Sequence, residues 1–305
     1  MLSVSHLRKE FDGTVAVADV SFEVRRGEVF GLLGPNGAGK TTTIRAILNI
    51  LQPDSGTILY DGKPFSEAVR NAVGYLPEER GLYKKSKLLD TILYFGALRG
   101  LSRTKARGEA LRWLKRLNMM EHVQHKVEEL SKGNQQKIQF ITAVLHDPPL
   151  IILDEPFSGL DPINQELLKD IFLELKQAEK AVIFSTHQMD QAEKLSDEIC
   201  LINHGKVVVA GALRDVKRRY GSNALALEFQ GDGAFLETIA GVRKAILYGN
   251  SAELQLEASA NLRDLIALVN ERVELRKVEI REPSLQAIFL EAVGAALPAG
   301  QEARA

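Results

Sequence analysis

The 305-residue chain lacks the residues that mark several classes of protein. Its single cysteine, Cys200, excludes an intramolecular disulfide and favours a reducing, cytoplasmic compartment. The first residues, MLSVSHLRKE, do not contain the apolar core of a secretory signal. No apolar run approaches the roughly 18 residues that cross a bilayer. Any work at a membrane is therefore expected to be done from outside the lipid.

An excess of charge of either sign is also lacking. Lysine and arginine number 39 and aspartate and glutamate number 40, which gives a formal net charge of −1. The composition offers no global electrostatic case for a nucleic-acid partner, and none is expected. Aromatic residues make up only 6% of the chain, but 45% of residues are hydrophobic, so a globular fold with a sizeable core is expected.

From residue 1 to about 220, short apolar runs are mixed with longer helical stretches, which predicts an α/β domain with a mostly parallel sheet. Three of these runs end in polar residues: EVFGLLG (28–34), LIILDEP (150–156) and AVIFSTH (181–187). Ligands of open α/β sheets bind at the carboxyl ends of strands, so these ends are expected to form the site. Residues 87–146 have a helical pattern and are predicted to be a helical subdomain inserted in this core.

The pattern changes after Tyr220. Residues 222–300 are predicted to form a small C-terminal α+β domain. Strand-like and helical stretches within it follow the order β-α-β-β-α-β, which is typical of a ferredoxin-like arrangement. The last residues, 297–305, are expected to fray. This extension is either a stabilising appendage or a regulatory or dimer-contact element. The basic run 214–219 is expected to be a solvated helix face, with contact to lipid headgroups or a partner as the alternative.

The segment GPNGAGKT (34–41) fits the phosphate-binding motif G-x-x-x-x-G-K-[ST] between a predicted strand and a predicted helix. Its glycines allow a tight turn whose N–H groups point at a polyphosphate, with the positive end of the helix dipole behind them. Lys40 is expected to reach the β- and γ-phosphates, and Thr41 to offer its hydroxyl to Mg²⁺. The alternative is a Gly-rich turn that matches the motif by chance. The residues expected to bind the polyphosphate here are Gly34, Pro35, Asn36, Gly37, Ala38, Gly39, Lys40, Thr41 and Thr42.

Two adjacent carboxylates follow the apolar run LIIL. Asp154 is the candidate ligand of Mg²⁺, and Glu155 is the candidate general base for an attacking water. A strand-end pair that caps the next loop is the alternative interpretation. His187 ends the third run, where a lone histidine is more often a satisfied core or loop residue than a catalytic one. Its proximity to the other motifs makes it the third candidate catalytic residue, with Glu155 and Lys40.

The segment LSKGNQQK (130–137) resembles the signature motif LSGGQ of the ATP-binding-cassette (ABC) ATPases. The resemblance covers residues 1 to about 220 and implies a P-loop NTPase core with an inserted helical subdomain. It also implies a role for each residue that matches a motif of the family. Phe11 would stack on adenine, Glu78 would occupy the Q-loop position and contact Mg²⁺ and water, and Asp161 would end the D-loop. His187 would be the switch histidine.

In the same resemblance, Ser131 and Gly133 would touch the γ-phosphate of ATP held by the opposite subunit. The chain departs from the family pattern at several positions. Lys132 stands where the family commonly has glycine, and Asn134 stands where it commonly has glutamine. Glu78 replaces the usual glutamine of the Q-loop, so a carboxylate would make the contacts with Mg²⁺ and water, or neither group would make them if the loop is reorganised. Phe11 retains stacking without a hydroxyl, and a core position is its alternative interpretation.

The segment GYLPEERGLY (74–83) and the C-terminal extension resemble the ABC-2 type export ATPases, a subgroup that includes the ATP-binding subunit of bacterial sodium exporters. This resemblance implies an ATPase on the cytoplasmic face of the cell membrane that energises a separate transmembrane permease. The permease contact is expected near residues 78–100. One P-loop and one signature per chain imply that two copies, or two paired ATPase subunits, sandwich ATP and Mg²⁺.

Two other functions are alternatives to the exporter. A soluble ABC ATPase that acts on ribosomes or DNA generally has two cassettes or a long coiled-coil insertion, and the sequence shows neither. A GTPase-like switch or small-molecule kinase leaves the signature unexplained, and no NKxD segment is present. The transported substrate cannot be identified from this chain, because the resemblance places the pathway in the permease.

Overall fold

The structure is a computed structural model that describes residues 1–79, 81–220, 224–257, 260–281 and 283–296. The chain divides into a first unit, Met1–Ala212, and a second unit that begins at Leu213. The second unit therefore begins a few residues before position 220, where the sequence predicts that the first domain ends. The segment predicted to fray, 297–305, lies outside the described residues.

The first unit contains ten strands and seven α-helices within the described residues. In chain order they are β1 (Leu2–Phe11), β2 (Thr14–Val24), β3 (Val29–Leu33), α1 (Lys40–Ile47), β4 (Ser55–Tyr60), β5 (Lys63–Pro64), α2 (Glu67–Asn71), β6 (Val73–Leu76), α3 (Leu88–Leu98), α4 (Arg103–Arg116), α5 (Lys132–Val144), β7 (Leu150–Asp154), α6 (Pro162–Gln177), β8 (Ala181–Thr186), α7 (Met189–Leu195), β9 (Glu198–Asn203) and β10 (Lys206–Ala212). Two single 3₁₀ turns, Met120–His122 and Val127–Glu129, precede α5.

The strands of the first unit form one sheet in the order β5-β4-β1-β2-β10-β9-β3-β8-β7-β6. Neighbours from β9 to β6 are parallel, as the apolar runs predict. Every residue of β3, β7 and β8 is buried, because helices cover both faces of a parallel sheet.

The expectation of a mostly parallel sheet is wrong for the N-terminal strands, since β1, β2, β4 and β5 pair antiparallel. The turns explain the difference. Asp12 and Gly13 have φ of 44° and 82° and join β1 to β2. An Asp-Gly pair with positive φ is the two-residue hairpin turn whose twist matches that of the strands it connects. Asp61 and Gly62 make the same kind of turn between β4 and β5, with φ of 46° and 75°.

The segment 87–146 contains helices α3, α4 and α5 and the two 3₁₀ turns. Trp113 of α4 packs edge-to-face on Phe140 of α5, with ring centroids 5.7 Å apart. Ser102 and Ser131 are the N-caps of α4 and α5, and each side chain accepts a hydrogen bond from a backbone N–H three residues on. These helices lie where the sequence predicts a helical subdomain.

The second unit contains α8 (Leu213–Arg219), β11 (Ala224–Gln230), a 3₁₀ turn (Ala234–Glu237), β12 (Val242–Tyr248), β13 (Ser251–Leu256), α9 (Leu262–Arg272), β14 (Glu274–Arg281) and α10 (Leu285–Ala296). Its four strands lie in the order β12-β13-β11-β14 with antiparallel neighbours. This strand order is that of the ferredoxin-like arrangement that the sequence predicts. The first predicted helix is only the 3₁₀ turn. It lies between Gly231 and Gly241, which both have positive φ and leave little length for a helix.

None of the helices in the described ranges is both long enough and apolar enough to cross a membrane.

Candidate functional site

The carboxyl ends of β3, β7 and β8 lie side by side. Leu33 of β3 pairs with Thr186 of β8, and Ser185 of β8 pairs with Asp154 of β7. The residues that follow these three strands therefore meet at one edge of the sheet. This is the edge at which the sequence predicts a ligand site.

The loop after β3 is held by close backbone contacts. Gly34 has φ 151°, and a Cβ there would lie 2.1 Å from the carbonyl oxygen of Ile202. Gly39 has φ 107°, and a Cβ there would lie 2.5 Å from the carbonyl oxygen of Ala16. Only glycine fits both positions, so the loop is fixed in shape before the first turn of α1 begins at Lys40.

The side chain of Lys40 turns back over this loop. Its Nζ donates hydrogen bonds to the carbonyl oxygens of Gly34, at 2.8 Å, and Pro35, at 3.2 Å. The residue is only 6% exposed. A lysine that is buried in this way needs hydrogen bonds and an opposite charge. The two loop carbonyls accept the hydrogen bonds.

Glu155 supplies the opposite charge. Its Oε1 lies 3.5 Å from Nζ of Lys40 and 3.0 Å from Nδ1 of His187. Lys40 and His187 therefore both lie close to Oε1 of Glu155, and the structure brings together the three residues predicted to be catalytic. The side chain of His187 is 45% exposed, so the interpretation as a core histidine is wrong.

The backbone of Glu155 is unusual, with φ 50° in the left-handed region. Such a conformation is costly for a residue other than glycine and persists only where the surroundings hold it. The N–H of Glu155 donates to Oγ of Ser185 at 3.0 Å, and Nε2 of Gln136 donates to the carbonyl oxygens of Glu155 and Pro156, each at 3.4 Å. The chain turns sharply after β7 and directs the carboxylate toward Lys40.

Asp154 is fully buried beside Glu155. Its Oδ1 accepts a short hydrogen bond from the Ser185 hydroxyl, whereas Oδ2 has no hydrogen-bond partner among the described residues. Burial raises the pKa of Asp154, and the hydroxyls of Ser185 and Thr41 act in the opposite direction. A buried carboxylate oxygen without a partner, close to a hydroxyl, fits a hard cation such as Mg²⁺.

No group of three or more His, Cys, Asp or Glu side chains that could hold a metal occurs in the part of the chain that the structure describes. Mg²⁺ is usually bound by one or two carboxylates together with substrate phosphates. Glu78 is the remaining predicted ligand. It is exposed and lies two residues after the end of β6, the strand next to β7.

Phe11 is the last residue of β1 and is 44% exposed, so the interpretation as a core residue is wrong. Nζ of Lys9 lies 5.4 Å from the centroid of its ring. An exposed aromatic face beside a cation is available for stacking against a flat ligand.

The predicted signature residues lie at the start of α5. Ser131 caps this helix by accepting a hydrogen bond from the N–H of Asn134 at 3.2 Å. A Cβ on Gly133 would lie 3.0 Å from the carbonyl oxygen of Gly159, so glycine allows α5 to approach the predicted D-loop. Asp161 caps α6 and accepts from the N–H of Asn164 at 2.9 Å.

The start of α5 and the predicted D-loop approach each other at Gly133 and Gly159. Within the described ranges, no side-chain hydrogen bond or ion pair joins Ser131 or Asp161 to Lys40, Glu155 or His187. Asn134 stands where the family commonly has glutamine. Its side chain has a nearby partner, because its Nδ2 lies 3.3 Å from Nε2 of His122. Lys132 is exposed.

Sequence reasoning missed Ser185 and Gln136. Ser185 connects Asp154 to Glu155 through its one hydroxyl group, and Gln136 holds the turn that follows. The signal for Ser185 is its place as the first polar residue at the end of the run AVIF, directly before Thr186 and His187. The signal for Gln136 is its place five residues after Ser131, on the first turns of the same helix.

Comparison with known proteins identifies the class. A family model for ABC transporters matches residues 17–158, and a model for the C-terminal domain of DrrA1-3-like ATP-binding proteins matches residues 211–293. ABC transporter ATP-binding protein YhaQ of Bacillus subtilis (strain 168) is 43% identical over 295 residues, which are 97% of this chain and 99% of that protein. The chain belongs to the family of ABC transporter ATP-binding proteins, and it is an ATPase of the ABC class.

Two further similarities extend this result. The doxorubicin resistance ATP-binding protein DrrA of Mycobacterium tuberculosis (strain ATCC 25618 / H37Rv) is 30% identical over 290 residues, covering 90% of this chain and 88% of that protein. A solved structure of an ATP-binding subunit of an ABC transporter superposes with a TM-score of 0.67 at 32% identity, covering 72% of this chain and 93% of that one. Both similarities agree with membership of the family of ABC transporter ATP-binding proteins.

Proposed function

We propose that this chain is the ATP-hydrolysing subunit of an ABC exporter and energises transport through a separate transmembrane permease. One observation carries the hydrolytic part of the proposal. Nζ of Lys40 and Nδ1 of His187 both lie close to Oε1 of Glu155, at the edge of the sheet where the Gly-rich loop ends. A cation can stabilise the charge on the phosphates, and a carboxylate held by an imidazole can position and deprotonate the attacking water.

The Gly-rich loop would bind the phosphates of ATP. Its backbone N–H groups and the start of α1 provide partial positive charge, and Lys40 provides a full charge. Lys40 makes hydrogen bonds to loop carbonyls and an ion pair with Glu155, so its ammonium already lies at the site. The contacts proposed for the loop are those of residues 34–42.

Glu155 would accept the proton of the attacking water. His187 holds the carboxylate by a hydrogen bond at 3.0 Å and would orient both the carboxylate and the γ-phosphate. The site would act as two parts, with Lys40 binding phosphate and Glu155 with His187 positioning water.

Thr41 and Asp154 would hold Mg²⁺, and the exposed carboxylate of Glu78 is a third candidate ligand. When bound, Mg²⁺ supplies positive charge that offsets the negative charge on the phosphates. Ser185 keeps Asp154 in place through its hydroxyl. The free Oδ2 of Asp154 would then face the cation.

Adenine would stack on Phe11, and two copies of the chain would sandwich two ATP molecules. Within the described residues, no side-chain hydrogen bond or ion pair joins Ser131 or Asp161 to Lys40 of the same chain. A second copy, or a paired ATPase subunit, would bring its own Ser131 and Gly133 to the γ-phosphate. ATP binding would close the two subunits, and release of phosphate would let them part.

The permease would contact the region of residues 78–100. Tyr83, Tyr94 and Leu98 are 56%, 46% and 59% exposed there. The rings of Tyr83 and Tyr94 lie edge-to-face at 5.6 Å, so they form an ordered aromatic surface next to the Glu78 loop. Exposed aromatic and leucine side chains in one place are typical of protein interfaces.

Export is the direction that the named relatives favour, because DrrA is a doxorubicin resistance protein. Residues 1–220 would be the nucleotide-binding domain and 222–300 an accessory domain. The protein would act at the cytoplasmic face of the cell membrane, with no nucleic-acid partner.

The test is to purify the tagged full chain from gently solubilised membranes of its own host and to identify what co-purifies. We expect a multi-spanning membrane protein in stoichiometric amount. Tyr94→Ala should reduce its recovery, whereas Tyr248→Ala, at a position 59% exposed in β12, should not. Recovery of only ribosomal or DNA-repair components would instead favour the ABC ATPases that act on those assemblies.

A further inference from the structure

The loop that carries Glu78 is joined to α5 by a buried side chain. Gln139 of α5 donates a hydrogen bond from its Nε2 to the carbonyl oxygen of Glu79, at 3.2 Å. Gln139 is only 3% exposed, whereas Glu78 and Glu79 are exposed. No other side chain of the described residues makes a hydrogen bond to positions 77–79. The buried amide is therefore the side-chain contact that fixes this part of the loop.

The strand that leads into this loop is fixed on the same helix. Gly74 of β6 packs directly against α5, and a Cβ there would lie 2.2 Å from the carbonyl oxygen of Ala143. A side chain would therefore push the strand away from the helix. β6 ends at Leu76, two residues before Glu78. With the strand held at Gly74 and the loop held at position 79, the backbone on both sides of Glu78 is tied to α5.

Gln139 is one of two buried glutamines on the same face of α5. Gln136 lies three residues earlier and is also 3% exposed, and residues at this spacing are neighbours on a helix surface. Gln136 donates to the carbonyl oxygens of Glu155 and Pro156. One face of α5 thus contacts the backbone beside the proposed general base, Glu155, and the backbone beside the candidate metal ligand, Glu78.

The second polar atom of Gln139 argues against a role in stability alone. Its Oε1 is buried and has no hydrogen-bond partner among the described residues. A buried acceptor without a partner is costly, and a leucine would fill a similar volume in the helix without that cost. Glu79 is exposed, so its carbonyl can bind water in place of the amide. Glutamine at position 139 therefore contributes more to the position of the loop than to the stability of the fold.

We propose that Gln139 is a positioning residue for Glu78. Its amide holds the carbonyl of Glu79, and this contact restricts where the carboxylate of Glu78 can lie when Mg²⁺ and ATP bind. The inference rests on the proposed role of Glu78 as a ligand of Mg²⁺. Gln139 acts through the backbone of the loop and is assigned no contact with nucleotide or metal.

A spin label on the loop tests the contact in the nucleotide-free full chain. The native Cys200 is fully buried, so a nitroxide attached at Glu79→Cys reports on the loop alone. The change at position 79 keeps the carbonyl that Gln139 binds. We expect Gln139→Leu to shift the equilibrium between held and mobile label toward the mobile form by about fivefold to tenfold, the usual worth of one hydrogen bond.

Gln191→Leu is the matched control for the label. Gln191 is 7% exposed and also has a buried Oε1 without a partner among the described residues, but its Nε2 donates to Gln165 in α6. This change should leave the label as it is in the unaltered protein. Cooperative thermal unfolding verifies that each variant is folded. If Gln139→Leu does not fold, Gln139→Met decides the matter, and unchanged mobility of the label in the folded variant overturns the proposal.

Metal binding measures the effect on Glu78. Mn²⁺ is the probe for the Mg²⁺ site of the full chain loaded with a non-hydrolysable ATP analogue, and free Mn²⁺ is measured by electron paramagnetic resonance. We expect Gln139→Leu and Glu78→Ala each to weaken Mn²⁺ binding about threefold or more, and the double variant to bind no more weakly than Glu78→Ala. Unchanged affinity in Gln139→Leu, or a further loss of the same size in the double variant, would overturn the proposal.

The failure of this inference and the failure of the proposed function have different signatures. The mobility of the label depends on neither Mg²⁺ nor hydrolysis. An unaltered chain that does not hydrolyse ATP would overturn the proposed function alone, whereas a label that does not respond to Gln139→Leu would overturn this inference alone.

Discussion

At the scale of single residues, Glu155 shows how the hydrolysis site is held. Its backbone lies in the left-handed region, and its carboxylate lies between the ammonium of Lys40 and the imidazole of His187. Strain of this kind costs about 1–3 kcal/mol and is offset by the surrounding contacts. The hydroxyl of Ser185 is one such contact, because it binds both Glu155 and Asp154.

Glu155→Gln is expected to stop hydrolysis and to keep ATP binding. The amide cannot accept the proton of water, whereas the loop and Lys40 remain in place. Phosphate release should fall by a factor of about 100 or more, which is the usual contribution of a general base. Nucleotide binding and light scattering should show ATP retained in a dimer. Normal turnover in this variant, with Glu67→Gln as the control, would remove Glu155 from the mechanism.

The sequence predicted most of these residues by type and spacing. Asp154, Glu155 and His187 lie at or directly after the ends of recognisable strands, and Lys40 follows the Gly-rich loop after a third, so their meeting follows from the order of a parallel sheet. The sequence did not reveal Ser185, because its role depends on the register in which β8 pairs with β7. Register is a property of two distant segments and has no local signal.

At the scale of elements, the Gly-rich loop depends on what it packs against. A Cβ at Gly34 would lie 2.1 Å from the carbonyl of Ile202, which belongs to β9. The motif requires glycines so that the backbone can turn, but the contact with β9 comes from the fold. Two constraints therefore act on the same residue.

Gly34→Ala is expected to destabilise the protein by about 2 kcal/mol or more, because the loop must move away from β9. Affinity for ATP should fall with it. Gly108→Ala is the matched control, since Gly108 lies inside α4 with open space around it. That change should stabilise the protein by about 0.5–1 kcal/mol. Thermal unfolding and nucleotide titration measure both effects, and an unchanged ATP affinity in Gly34→Ala would contradict the account of the loop.

At the scale of the whole molecule, the chain contains two units with separate hydrophobic cores. The core of the first includes Leu32, Ile44 and Ile183, and the core of the second includes Leu227, Leu254 and Val269. Neither of these clusters draws a buried residue from the other unit. Each unit therefore has the apolar interior that an independent domain requires.

Removal of residues 222–305 is expected to leave a folded fragment that binds ATP. The residues proposed to bind nucleotide all lie within the first 187 positions, and the first core remains complete. Cooperative unfolding and nucleotide titration of the fragment measure this. A fragment that cannot bind nucleotide would show that the second unit is required for the site, and would favour a regulatory role over that of an appendage.

The sequence by itself determined the class of the protein, the ends of the central strands and the candidate catalytic groups, because phosphate-binding and signature motifs are local and depend on residue type. Only the tertiary structure decided that the N-terminal strands are antiparallel and that the hydroxyl of Ser185 contacts both Asp154 and Glu155. It also decided that Phe11 and His187 are exposed. These features depend on which distant segments pack together, and burial changes what a side chain can do.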